Sequence, residues 1–74
     1  MQEADLVRMS TQIAEFFAAY PDDEAVPGVA EHLRSFWAPS MRAQLIAMHE
    51  AGMPALHPLV QRAIARLRDP EPAV

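Results

Sequence analysis

Phe36-Trp37-Ala38-Pro39-Ser40-Met41-Arg42-Ala43-Gln44 decides how this chain folds. Ala38 precedes a proline, which disfavours helical geometry there and ends one helix near Trp37. Pro39 suits the first position of a new helix, where a missing N–H has no intrahelical partner to lose. Phe36 and Trp37 therefore stand at a tight helix–helix corner, with Arg42 just inside the next apolar period. Such aromatic side chains belong either to the core or to a surface that a partner covers.

Outward from that corner the 3.6-residue period recurs, and no strand alternation runs far. Upstream, a first helix is expected from Glu3 to Ala19. Leu6, Met9, Ile13, Phe16 and Tyr20 form its apolar stripe, widened by Phe17. Glu3 and Asp5 complement its N-terminal dipole and Pro21 stops it. Asp22, Asp23 and Glu24 are expected to cap a second helix with Val26, Val29, Ala30, Leu33 and Phe36 inward. Gly28, near its start, permits a close approach.

Downstream, a third helix is expected from Pro39 to about Ala51. Met41, Leu45 and Met48 form its stripe, extended by Ile46, and Gly52 is its left-handed terminator. A loop from Gly52 to His57 leads to Pro58 and a fourth helix using Leu59, Val60, Ala63, Ile64 and Leu67. Arg62, Arg66 and Arg68 gather toward its C-terminus. The expectation is all-α: a small bundle of four short helices over residues 1–68, with residues 69–74 as a flexible tail.

Composition narrows the function. A chain of 74 residues supports one small domain at most. Its hydrophobic content of 51% leans on alanine, which buries little area, so marginal stability improved by docking is the natural expectation. With no cysteine there is no disulfide, and the chain supplies no thiolate for an iron–sulfur cluster. The net charge of −4, ten acids against six arginines and no lysine, counts against nucleic-acid binding. The start Met1-Gln2-Glu3-Ala4-Asp5 is acidic where a secretory signal is basic, and no apolar run is long enough to span a membrane. A cytoplasmic protein is expected.

Candidate chemistry is sparse. His32, His49 and His57, with Glu31 and Glu50, raise a metal site, but ligand pairs on one helix sit three or four residues apart, whereas these are sequence neighbours or solitary. Exposed or capping histidines account for them better. Ser10, Thr11, Ser35 and Ser40 lack a strained turn or glycine-rich oxyanion site, and two glycines cannot make a phosphate loop. No catalytic, cofactor-binding or metal residue is assigned. Partner-binding candidates are Arg34, Phe36, Trp37, Met41 and Arg42. For Trp37 two readings stay open, a core residue closing the corner or an anchor entering a partner.

The run from Asp23 to Arg42 also resembles a known signature. Asp23-Glu24-Ala25-Val26-Pro27-Gly28, then His32, then Phe36-Trp37-Ala38-Pro39-Ser40-Met41-Arg42 is similar to the delta subunit of soluble NAD-dependent molybdenum formate dehydrogenases. Leu59-Val60, Ala63 and Arg66-Leu67 fit its ending, so the likeness runs from about Leu6 to Leu67. Pro27 departs from it where a helix-friendly residue is expected, implying a later start or a kink. His57 departs where a small capping residue is expected.

The resemblance implies an accessory subunit that supports assembly, cofactor retention or stability. It implies partners too: a large subunit with molybdopterin guanine dinucleotide, and diaphorase subunits with iron–sulfur clusters and FMN. The alternatives are a free-standing factor for molybdenum cofactor insertion or a small helical protein-binding regulator.

Overall fold

The computed structural model describes residues 3–52 and 56–68. Four helices follow in order: α1 (Glu3–Phe17), α2 (Asp22–Phe36), α3 (Pro39–Ala51) and α4 (Pro58–Arg68), with no strand among the described residues. The expected tail at 69–74 and the loop positions Met53, Pro54 and Ala55 lie outside the described residues.

The first helix ends at Phe17 rather than Ala19. Pro21 restricts Tyr20, and the chain tightens into i→i−3 bonds, Ala18 N to Glu15 O at 3.4 Å and Tyr20 N to Phe17 O at 2.9 Å. Its buried face also differs from the expected stripe: Leu6, Ser10 and Ala14 face inward, while Phe16 and Tyr20 are exposed. Small residues let neighbouring helices come close. The Ser10 hydroxyl, fully buried, donates to the Val7 carbonyl at 2.9 Å, which removes the cost of burying it.

In α2 the acidic residues do not cap. Pro21 is the N-cap and its carbonyl accepts from Glu24 N at 2.9 Å and Ala25 N at 2.8 Å. Asp22, Asp23 and Glu24 form the first turn, where they act through the helix dipole. Pro27 neither delays nor ends α2, which begins at Asp22 and continues through it to Phe36. The proline ring leaves the Asp23 carbonyl without a helical donor, and the exposure of Asp23 lets water serve. Ala25, Val29, Ala30 and Leu33 are buried.

The corner behaves as its sequence dictates. Trp37 and Ala38 are extended, at φ −92°, ψ 142° and φ −64°, ψ 147°, and Pro39 opens α3. Gly52 ends α3 at φ 78°, a left-handed conformation that strains any residue with a side chain, and donates to the His49 carbonyl at 3.0 Å.

His57 is the cap of α4. Its Nδ1 accepts from Leu59 N at 3.1 Å and its carbonyl accepts from Gln61 N at 3.0 Å. An imidazole here does what a small oxygen-bearing side chain usually does. The helix then buries Leu59, Val60, Ala63 and Ile64 and packs chiefly on α2. Leu6, Leu33 and Leu45 complete an almost wholly aliphatic core, in which Trp37 is the one aromatic among the buried described residues.

Candidate functional site

Two adjacent residues point in opposite directions at the end of α2. Phe36, still helical, is 75% exposed, whereas Trp37, one residue into extended backbone, is 6% exposed. The inward position expected of Phe36 is therefore corrected: the change of dihedrals at the helix end hands it to Trp37.

Phe36 is not isolated outside. Its ring lies 4.8 Å from that of His32, one turn earlier on α2. On α1, Phe16 and Phe17 meet edge to face at 5.0 Å, and Tyr20 lies 5.8 Å from Phe17. Gly28 makes room for this cluster. A Cβ there would stand 2.5 Å from Cε1 and 2.7 Å from Cδ1 of Phe17, so the close approach at Gly28 is that of a ring rather than a helix backbone.

Between the two helices runs an open groove of about 630 Å³. Met9, Ile13, Phe16 and Phe17 form one wall, His32 and Phe36 the other, with Gln12 and Trp37 completing it. No charged carboxylate or guanidinium lines it. The chain has five aromatic side chains of the Phe, Tyr and Trp types, and four of them line this groove. Of the stripe expected to face the core, Met9 and Ile13 are half-buried and pack against it while also lining the groove, whereas Phe16 is exposed. The available signal was that α1 carries more apolar residues than one face can bury.

The expected partner-binding residues divide. Phe36 and Trp37 reach the groove as rim and floor. Arg34 is exposed, does not line the groove, and pairs with Glu31 at 2.8 Å, as i and i+3 residues do. Met41 is half-buried against the core. Arg42 turns back on its own chain: Nη1 donates to the carbonyls of Trp37 at 2.6 Å, Arg34 at 3.0 Å and Leu33 at 3.3 Å. The Arg34 and Trp37 carbonyls lie past the last helical donor, whereas that of Leu33 also accepts from Trp37 N at 3.2 Å; Arg42 is thus a C-terminal cap for α2 supplied from α3.

The histidines are dispersed: His32 stacks on Phe36, and His57 caps α4. Among the described residues, no three His, Asp or Glu side chains converge to hold a metal ion. Nor does any described serine or threonine hydroxyl bond to a histidine; Ser10 bonds to Val7 and Ser35 to Glu31. No described helix is long and apolar enough to cross a membrane.

Fold and surface thus define a small helical protein with an aliphatic core and an outward aromatic groove. Residues 5–64 match the family of the NADH-dependent formate dehydrogenase delta subunit, FdsD, and the chain belongs to that family. It is a subunit of a formate dehydrogenase complex. No curated protein and no solved structure gives a significant match.

Proposed function

We propose that this chain is a non-catalytic accessory subunit, cytoplasmic with its enzyme, that supports assembly, cofactor retention or stability of an NAD-dependent molybdenum formate dehydrogenase. The observation that carries this is the placement of its aromatic residues. A small domain short of large core side chains leaves Phe16 at 66% and Phe36 at 75% exposure, which is costly unless another surface covers them. The partners in this reading are a large subunit with molybdopterin guanine dinucleotide and diaphorase subunits with iron–sulfur clusters and FMN; membership of the delta-subunit family supports it by implying other subunits of the enzyme. Lacking cysteine, this chain contributes no thiolate ligand to those clusters.

The action is linkage. Binding to the folded, cofactor-loaded partner raises the population of that state by its binding free energy. Deletion of the chain is expected to lower molybdenum occupancy, yield or lifetime of the enzyme, while turnover per molybdenum stays the same. The experiment is expression with and without the chain, with activity normalised to molybdenum content. Unchanged occupancy, yield and lifetime would refute the role; reduced turnover at full occupancy would instead indicate a catalytic contribution. Retention at one copy per catalytic subunit separates a resident subunit from a maturation factor that departs.

A further inference from the structure

The groove between α1 and α2 has a chemical polarity that specifies its occupant. Gly28, His32 and Phe36 follow one i, i+4 row along α2, and Glu24 is the next member of that row beyond Gly28. That row places Glu24 one turn beyond Gly28, which the Phe17 ring covers, just past the residues that line the groove. Asp23 adjoins it, and both are exposed. Among the described residues Glu24 and Asp23 make no ion pair, and neither does Glu15, beside Phe16 on α1.

The described arginines are in the opposite condition. Arg8 pairs with Asp5, Arg34 with Glu31 and Arg62 with Asp22, Arg42 caps α2, and Arg66 has a partner of its own. Free charge around the aromatic groove is thus negative.

We propose that this groove receives a basic amphipathic helix of another formate dehydrogenase subunit, with apolar anchors on the aromatic walls and a Lys or Arg against Glu24 and Asp23. This rests on the accessory-subunit reading above. From Met9 to Phe17 the α1 wall is about 12 Å long at the helical rise, which accommodates two turns and anchors spaced i, i+3 or i+4, and i+7. A second copy of this chain is the poorer occupant. It has the same net charge of −4, and the arginines whose side chains are described, Arg8, Arg34, Arg42, Arg62 and Arg66, are already engaged.

The test uses the whole enzyme, affinity-tagged on its large subunit, co-expressed with wild-type chain or with Phe16→Ser, Phe36→Ser, Glu24→Lys or Glu15→Arg. Retention is measured across a salt series, and circular dichroism melting of each isolated variant reports folding. Each Phe→Ser change is expected to weaken retention about tenfold or more, as loss of an interface anchor does. Glu24→Lys is expected to weaken it several-fold at low salt and less at high salt. Glu15→Arg places a cation in the last turn of α1, where the dipole favours it, so it should leave the melt unharmed while weakening retention. That variant separates docking from folding.

Undiminished retention of all four variants, with wild type retained, overturns the groove proposal and leaves the accessory role standing. Failure of wild type itself to be retained, with no effect of deletion on the enzyme, overturns both. An isolated-chain dimer abolished by Phe36→Ser would overturn the proposal in favour of self-association.

Discussion

The guanidinium of Arg42 on α3 donates to the main-chain carbonyl of Trp37 at 2.6 Å, tying the first turn of one helix to the last residues of the one before it. The same Nη1 reaches the carbonyls of Arg34 and Leu33. Arg42→Ala is expected to destabilise the isolated chain by about 1–3 kcal/mol, the range for losing hydrogen bonds from a charged donor. Arg42→Lys should recover only part, since an ammonium lacks the planar fork. Denaturant melts of the three proteins check both statements.

Phe36 and Trp37 make a sharper pair. Trp37→Ala removes a nearly buried indole and is expected to cost roughly 3–5 kcal/mol, enough to unfold a domain this small. Phe36→Ala should change the stability of the isolated chain by about 0.5 kcal/mol or less, as exposed substitutions do. Equal losses at the two positions would contradict the opposed orientations.

Gly28 and Phe17 call for a double-mutant cycle. In the wild-type background Gly28→Ala brings a methyl into clash with one edge of the Phe17 ring and is expected to lower stability. With Phe17→Ala already present, the same change should raise it by about 0.5–1 kcal/mol, the ordinary helical preference of alanine over glycine. A sign that does not reverse would show that the ring does not sit where described.

His57 holds the start of α4 through its Nδ1. His57→Ala is expected to lose about 1 kcal/mol, whereas His57→Asn or His57→Ser should retain or exceed wild-type stability, because their side-chain oxygen or hydroxyl makes the same cap. Thermal melts at one pH suffice.

The ion pair of Arg62 with Asp22 joins α4 to α2 at 2.7 Å, but both side chains are largely exposed. Arg62→Ala is expected to cost less than about 1 kcal/mol and to show a smaller effect in high salt.

What the sequence disclosed were the joints. Pro39 at the first position of α3, Gly52 at its end and Pro58 opening α4 each restrict the backbone locally, so neighbours alone determine their conformation. The four-helix class followed from those joints and the apolar period between them. Facing was less legible. On α1 the stripe of Met9, Ile13 and Phe16 suggested the core; Met9 and Ile13 pack against it half-buried, but Phe16 is exposed and Ser10 and Ala14 lie innermost, because helix approach favours small side chains and only the assembled bundle sets the rotation. Arg42 was equally hidden: its acceptors are carbonyls five to nine residues away, which no side-chain motif records. The groove follows from the rotation of α1: Phe16 and Phe36 turn outward over half-buried Met9, Ile13 and Phe17, which only the oriented helices reveal.

Trp37 is the single tryptophan of the sequence, and it lies at the groove floor with 6% of its surface in contact with solvent. The indole is therefore a native optical reporter. Light absorbed at its long-wavelength edge excites this one site, free of tyrosine, in a chain that needs no label. An occupant that expels water from the groove will shift the emission to shorter wavelength. A synthetic helix free of tryptophan, titrated while that shift is followed, would yield an affinity directly, with Phe36→Ser as its dark control.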